Sequence, residues 1–110
     1  NSLHVTNELG VAGAVYSNGE TVTAAVTTGP QLSSSLIQNV TAGTHDHRVS
    51  LPLAEAAGQL MVLRNVAPTH RVDLRNNAND ADVVANFAAG KVAICYSTAA
   101  GDNWVGSQLD

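Results

Sequence analysis

The chain has 110 residues, a length that predicts one domain over residues 1–110 with its own hydrophobic core. Charged residues are only 13% of the chain, and its formal net charge of −4 leaves no basic cluster to bind nucleic acid. The sequence contains no apolar run long enough to span a membrane and no signal-peptide pattern. We therefore expect neither a nucleic-acid partner nor a membrane partner.

The apolar residues of the chain are mostly small. Hydrophobic residues are 45% of the sequence but aromatic residues only 4%, which predicts a thin core of alanine, valine and leucine. The surface must then consist mainly of serine, threonine, asparagine and alanine. Such a surface costs little to bury against other subunits, although a neutral, polar soluble surface is an equally good interpretation.

The N-terminal part contains one predicted hairpin. Residues 1–10 have no clear period and could form an N-terminal arm, an edge strand or a short helical turn. Residues 11–27 predict two strands joined at Asn18-Gly19, because both residues accept the positive φ of a type I′ turn. In the second strand, small apolar side chains alternate with threonine, which predicts a half-buried strand. Its predicted inward residues are Val22, Ala24 and Val26.

The middle of the chain begins after a break at Gly29-Pro30. The apolar spacing in residues 31–42 fits a helix or a strand, and three serines favour a strand around 35–40. Residues 46–53 alternate again, with Pro52 placing this segment at a strand end or a sheet edge. Its predicted inward residues are Val49, Leu51 and Leu53.

The second half contains most of the clear strand patterns. Residues 54–58 could form one helical turn that stops at Gly58. The continuous apolar run at 59–65 predicts a strand covered on both faces. Residues 70–75 predict a strand with alternating faces, and the asparagine-rich residues 76–82 predict a loop. The predicted inward residues of the strand at 70–75 are Val72 and Leu74.

Two further strands are predicted at 81–87 and 91–97, separated by a turn at Ala88-Ala89-Gly90. Cys95 lies inside the second of these strands, which predicts a buried, inert thiol. A short strand at 103–105 is followed by a C-terminal tail.

Together these patterns predict seven to nine short strands with almost no helical periodicity. Turn signals follow one another closely, as is typical of sheet proteins that fold on themselves. The expected fold class is all-β, in the form of an antiparallel, jelly-roll-like β-sandwich.

Residues 43–105 carry a series of short segments, VSLP, GQLMVLRN, HRVDL and FAAGKVAICYS, followed by a lone tryptophan. This pattern resembles that of virion structural proteins of tailed bacteriophages, which are small jelly-roll or β-sandwich modules on capsids, necks and tail appendages. The first forty residues lie outside the resemblance. The residues that carry it are Val49, Leu51, Pro52, Gly58, Gln59, Asn65, Ala89, Gly90 and Trp104.

The resemblance implies a structural role in a virion. The small size and the absence of fibre repeats favour a capsid decoration (cement) protein that binds the outer surface of the major capsid protein shell. Such modules tend to sit at local three-fold positions, so the resemblance also implies a homotrimer. The alternative is a receptor- or glycan-binding module of a tail appendage. A sugar site usually needs exposed aromatic residues, and three of the four tyrosine, phenylalanine and tryptophan residues of this chain are expected in the core. The four are Tyr16, Phe87, Tyr96 and Trp104.

Five of the residues in this pattern also have a structural interpretation that needs no ligand. Gly58 and Gly90 lie where the chain turns before a strand, and glycine tolerates positive φ. Gln59 is expected to form a hydrogen bond across the start of its strand, and Asn65 to cap or turn the chain where that strand ends. Trp104 is expected to seal one end of the core, with its N–H satisfied at the rim.

His45 and His47 are the candidate metal ligands. In a strand, positions 45 and 47 point to the same side, so two imidazoles could reach one metal with His70 or His4 as a third ligand. Gly43-Thr44 before them favours a mobile loop. A solvated turn is the preferred interpretation, and no metal or other cofactor is expected.

A hydrolase site could be assembled on paper from Cys95, His70 and Asp73. However, Cys95 lies in an apolar run, and His70 and Asp73 have opposite parity on one strand, so they face opposite sides. The sequence contains no Gly-x-Ser-x-Gly elbow and no phosphate-cradling glycine loop. We therefore do not expect an enzyme.

Overall fold

A computed structural model describes residues 6–8, 10–13, 20–25 and 29–110. These residues form eight strands and contain no helix, so the predicted all-β fold with seven to nine strands is confirmed. It follows that the described ranges also contain no helix able to cross a membrane. The strands are β1 (Thr21–Thr23), β2 (Ile37–Thr41), β3 (His47–Ser50), β4 (Leu60–Asn65), β5 (Val72–Arg75), β6 (Asp82–Phe87), β7 (Val92–Ser97) and β8 (Trp104–Leu109).

The eight strands form a sandwich of two sheets. One sheet has five strands in the order β1-β2-β4-β7-β8, and the other has three in the order β3-β5-β6. The sheets are mixed rather than purely antiparallel as expected, because β1–β2, β2–β4 and β3–β5 pair in parallel. The chain crosses to the second sheet at β3 and returns, so that β2 and β4 run in the same direction. Alternation in the sequence indicates which face a residue occupies, but not the direction of its strand.

The hydrophobic core lies between the two sheets. Phe87 and Leu74 from the three-stranded sheet and Met61, Leu63 and Cys95 from the five-stranded sheet are fully buried. Burial of each large apolar side chain contributes about 1.5–3 kcal/mol. The predicted inward residues of β5 and the predicted burial of Cys95 are confirmed, with no exposure at Val72, Leu74 or Cys95.

The predicted N-terminal hairpin lies partly outside the described residues. Its turn at Asn18-Gly19 and Val26 are not described, nor is most of its first strand. Its second strand is present as β1, where Ala24 is buried just beyond the strand end and Val22 packs against the core. β1 pairs in parallel with β2 rather than with a described hairpin partner.

The segment between β3 and β4 differs from the prediction at two places. Leu53 was predicted to face inward but is 55% exposed, because β3 ends at Ser50 and the alternation ends with it. Residues 54–58 form bends and a turn rather than a helical turn. Instead, Ala54 exchanges backbone hydrogen bonds with Gly101 at 2.9 and 2.8 Å, which fixes this link against the turn before β8.

β4 and β8 also differ from the prediction. β4 was expected to be covered on both faces, yet Leu60 and Arg64 are exposed while Met61 and Leu63 are buried, so only one face is covered. β8 continues to Leu109, where a tail was predicted. The sequence does not show this part of the strand, because Gly106 and the polar residues around it interrupt the apolar alternation.

Candidate functional site

Gly58, Gly90 and Gln59 shape the turns before β4 and β7. Gly58 has φ +84° and Gly90 has φ +76°, values that a residue with a side chain rarely adopts. The Gly90 N–H donates to the carbonyl oxygen of Asn65 at 2.7 Å. Gln59 accepts a 2.9 Å hydrogen bond from the N–H of Glu55 through its side-chain oxygen, which closes the link before β4. All three residues therefore have a structural role in these turns.

Asn65 joins the two sheets through its side-chain amide. Its Nδ2 donates to the carbonyl oxygens of His70 and Phe87, both at 2.9 Å, and its Oδ1 accepts from the Ala67 N–H at 2.9 Å. The residue is fully buried. Because Phe87 ends β6 in the other sheet, the amide is a cross-sheet link as well as a turn residue.

Trp104 forms a second cross-sheet link. The side chain is buried, with 7% exposure, and belongs to the core cluster. Its Nε1–H donates to the carbonyl oxygen of Pro52 at 2.8 Å, which lies just beyond β3. The ring is therefore occupied in the core and is not available to a ligand.

The structure separates the two candidate metal ligands. His45 lies in the turn before β3, where Asp46 has φ +65°, and its ring contacts the ring of His70 edge-to-face at a centroid distance of 4.8 Å. The Nδ1–H of His47 donates to the carbonyl oxygen of Ala24 at 3.1 Å. The two imidazoles thus have different partners, because position 45 is not part of the strand.

Within the described residues, no group of three histidine, cysteine or acidic side chains is placed to hold a metal ion. The Nε2 of His47 lies 2.6 Å from the hydroxyl of Thr44, and the Nδ1 of His45 accepts a 3.3 Å hydrogen bond from the N–H of Arg71. His4, the other suggested ligand, lies outside the described residues. The interpretation as a turn fits these contacts better than a metal site.

Arg71 and Asp46 form an ion pair that no pattern in the sequence predicts. The Arg71 guanidinium donates to Asp46 Oδ1 at 2.9 Å, and this hydrogen bond and charge lower the pKa of the Asp46 carboxyl. Both side chains are exposed, so the pair is screened by water and adds little to stability. No spacing in the sequence signals the contact, since Asp46 lies in the turn before β3 and Arg71 directly precedes β5, 25 positions later in the chain.

The three residues considered for a hydrolase site, Cys95, His70 and Asp73, do not contact one another as catalysis would require. Cys95 is fully buried, and burial raises the pKa of its thiol from 9.0 to about 12. Asp73 Oδ1 accepts a 2.8 Å hydrogen bond from the N–H of Asn86, and the ring of His70 packs on His45. The thiol therefore stays protonated, and these contacts do not form a nucleophile–base pair.

The most distinctive surface is the side of the five-stranded sheet that faces away from the core, which we call the outer face. One row across β4, β7 and β8 consists of Leu60, Tyr96 and Val105. Neighbouring rows add further aliphatic side chains from β2 to β8. The eight apolar residues of the outer face are Ile37, Leu60, Val62, Val92, Ile94, Tyr96, Val105 and Leu109.

Much of this apolar surface is in contact with solvent. Ile37, Leu60 and Tyr96 are 50%, 46% and 52% exposed, and Val105 and Leu109 are also exposed. Arg64 is the one charged side chain among the outward positions of β2, β4, β7 and β8. Contiguous apolar patches of this kind mark interaction sites more often than scattered single residues do.

A comparison with known protein families, curated proteins and solved structures found no match. The outer face itself is therefore the basis for a functional assignment.

A shallow depression of about 290 Å³ lies on the outer face between β7 and β8. It is lined by Ile94, Tyr96, Val105, Gly106 and Ser107. The alternation of residues 91–97 places Val92, Ile94 and Tyr96 on one face of the strand, but the sequence does not show that this face is exposed. The available signal was that apolar residues occupy both parities of β4 and β7, more than one core can bury.

Proposed function

We propose that the protein is a non-enzymatic structural module that attaches to a larger protein assembly through its outer face. The observation that carries this proposal is the patch of apolar side chains across four adjacent strands, five of them exposed, in which Arg64 is the single charged side chain. Burying apolar surface contributes about 25 cal/mol per Å², and a face with a single charged side chain loses little hydration when it is covered.

The assembly that we propose is the head of a tailed bacteriophage. In this proposal the protein is a capsid decoration protein that binds the outer surface of the major capsid protein shell and is located on the virion. The resemblance of residues 43–105 to phage virion modules and the sandwich fold support this choice. The homotrimer implied by the same resemblance stays a prediction, and its copy number is open to direct measurement.

Co-sedimentation with purified expanded heads of the phage that encodes the protein tests this proposal. We expect the native protein to pellet with the heads and Leu60→Asp to remain in the supernatant, because the carboxylate would be buried at the contact. The matched control is Leu53→Asp, since Leu53 is a similarly exposed leucine away from the outer face. Equal pelleting of the two variants, or no pelleting of the native protein, would overturn the assignment.

A glycan-binding module of a tail appendage is the second candidate, and one observation favours it. Tyr96 is exposed beside the depression on the outer face, which is the arrangement that a sugar ring needs for stacking. Of the other aromatics, Phe87 and Trp104 are buried and Tyr16 lies outside the described residues. Binding on a glycan array that disappears with Tyr96→Ala would favour this candidate over the capsid module.

A further inference from the structure

Among the described strands, β8 is an unpaired edge of the five-stranded sheet, and β6 of the other sheet packs against it at Gly106. β8 is last in the order β1-β2-β4-β7-β8, and no described strand pairs with it on the side away from β7. Its pairing with β7 runs without interruption from Val92–Leu109 to Ser97–Trp104, so no bulge bends it away. A straight edge strand presents unpaired backbone groups that can bind another strand.

The neighbouring hydrogen bonds show which backbone groups of β8 face outward. The N–H of Ser97 donates to the backbone carbonyl oxygen of Gln59, on the β4 side of β7. The N–H of Thr98 donates to the backbone carbonyl oxygen of Asn103, on the β8 side. Backbone groups alternate in direction along an antiparallel strand. Val105, Ser107 and Leu109 therefore bond to β7, and the backbone groups of Gly106 and Gln108 face the open side.

The other sheet edges in the described residues are shorter or protected. β1 has three residues, and β3 is bridged by Ala25 and by Gln31. β6 has an irregular register and contains Asn86 at φ +56°. The sequence of β8, WVGSQL, contains no lysine, proline or charged residue, which are the usual devices that keep an edge from pairing.

We propose that β8 pairs antiparallel with β8 of a second copy of this chain, around a two-fold axis at Ser107. In this register Gly106 lies opposite Gln108 of the partner subunit, and the two pairs supply about four backbone hydrogen bonds. On the outer face, Val105 lies opposite Leu109 of the partner subunit. The row of Leu60, Tyr96 and Val105 then continues into Leu109 of the partner subunit and Val92 of the partner subunit across the joined sheets.

The side-chain pairs across the axis favour this register over the neighbouring one. If the axis passed through Gly106, Val105 would lie opposite Ser107 of the partner subunit, and Asp110 would lie opposite Asp102 of the partner subunit. That arrangement opposes like charges and breaks the apolar row. The axis at Ser107 places two small hydroxyl side chains at the centre and keeps the acidic groups apart.

The contact is self-complementary, so it closes at two copies. A trimer, as implied by the phage resemblance, would need two different patches on each subunit instead. The dimer proposed here and that trimer are therefore competing predictions, and the measured mass decides between them. The pairing does not depend on the proposed attachment to a capsid shell. Its tests contain only this protein, so the two proposals can fail separately.

Cross-linking of Ser107→Cys tests the position of the axis. Residues opposite one another in a non-hydrogen-bonded pair have Cα atoms about 4.5 Å apart, within the range that a disulfide spans. We expect oxidation to convert most of this variant to a covalent dimer, while the native Cys95 stays unreactive because it is buried. The control is Thr23→Cys on the opposite edge strand, which is also exposed. Equal cross-linking of the two variants would overturn the proposal.

Charge variants test the pairing without a covalent bond. We expect the native protein to have twice the monomer mass of 11.3 kDa in light scattering. Ser107→Lys and Ser107→Glu should each be monomeric, because like charges meet at the axis, and an equimolar mixture should restore the dimer. Ile37→Lys, on the same outer face but far from β8, should remain dimeric. A native monomer, a native trimer or no rescue in the mixture would contradict the pairing.

Discussion

Two buried side-chain donors connect the sheets at the residue scale. Trp104 reaches the carbonyl oxygen of Pro52, and Asn65 reaches that of Phe87. In each case a donor from the five-stranded sheet satisfies a carbonyl on the other side of the sandwich. Buried carbonyls that lose their donor carry a desolvation cost of about 1–3 kcal/mol, so both residues stabilise the fold through more than their packing.

Trp104→Ala should lower the free energy of unfolding by about 3–5 kcal/mol, since it opens a cavity in the core. Trp104→Phe should lower the free energy of unfolding by less, because an aromatic ring still fills most of the space although the hydrogen bond to Pro52 is lost. Urea denaturation of both variants measures the difference. An unchanged midpoint for Trp104→Ala would mean that the ring is not part of the core.

The thiol of Cys95 should react slowly in the native protein. Burial raises its pKa to about 12, so that neither access nor ionisation favours a reagent. A change from about pH 7 to about pH 9 should accelerate labelling of the unfolded chain, whose thiol keeps its ordinary pKa, but not that of the native chain. Labelling followed by mass spectrometry, with and without denaturant, gives the two rates. Native labelling as fast as that of the unfolded chain would show an accessible thiol.

At the scale of strands, the sequence predicted where most elements lie but not how they pair. Clean alternation at 70–75 and 91–97 identified β5 and β7, because one face of each is buried. The parallel pairing of β2 with β4 depends on the crossing of β3 between sheets, which no local pattern encodes. β8 was missed after residue 105 because Gly106 and Gln108 are typical of a tail.

Gly106 is required by the packing of β8 rather than by a turn. A Cβ at this position would lie 2.7 Å from Cys95 Sγ and 2.9 Å from Val84 Cγ2. Gly106→Ala should therefore destabilise the protein by about 1–3 kcal/mol through overpacking. Gly43→Ala is the matched control, since a Cβ there meets nothing within 4 Å. Thermal unfolding should separate the two variants, and equal melting temperatures would contradict the close approach of β8 to β6.

At the scale of the whole molecule, candidate sites based on spacing and sites based on surface chemistry had different outcomes. The spacing of His45 and His47 implied a shared side, but a turn at Asp46 gave the two rings different partners. The outer face could be recognised only once the register placed Leu60 beside Tyr96. Individually, these apolar residues are indistinguishable from core residues in the sequence.

The sandwich as a whole depends on a neutral amide at position 65, and Asn65→Asp should expose that dependence. The substitution keeps the shape but replaces an amide donor with a carboxylate facing the carbonyl oxygens of His70 and Phe87. Repulsion and burial would raise the pKa of the introduced carboxyl in the folded state above its unfolded value of about 3.9. Protonation restores one donor, so the stability of the variant relative to the native protein should be highest below about pH 3.9 and should fall as pH rises through the folded-state pKa.

The difference in unfolding free energy between Asn65→Asp and the native protein, measured by urea denaturation across this pH range, isolates the effect. Native Asn65 does not titrate, so the other carboxyl groups contribute equally to both proteins and cancel in the difference. We expect the loss of unfolding free energy in Asn65→Asp, relative to the native protein, to grow with pH. A deficit that stays constant would mean that the amide does not donate to the two carbonyls, and that the sheets are joined by apolar packing alone.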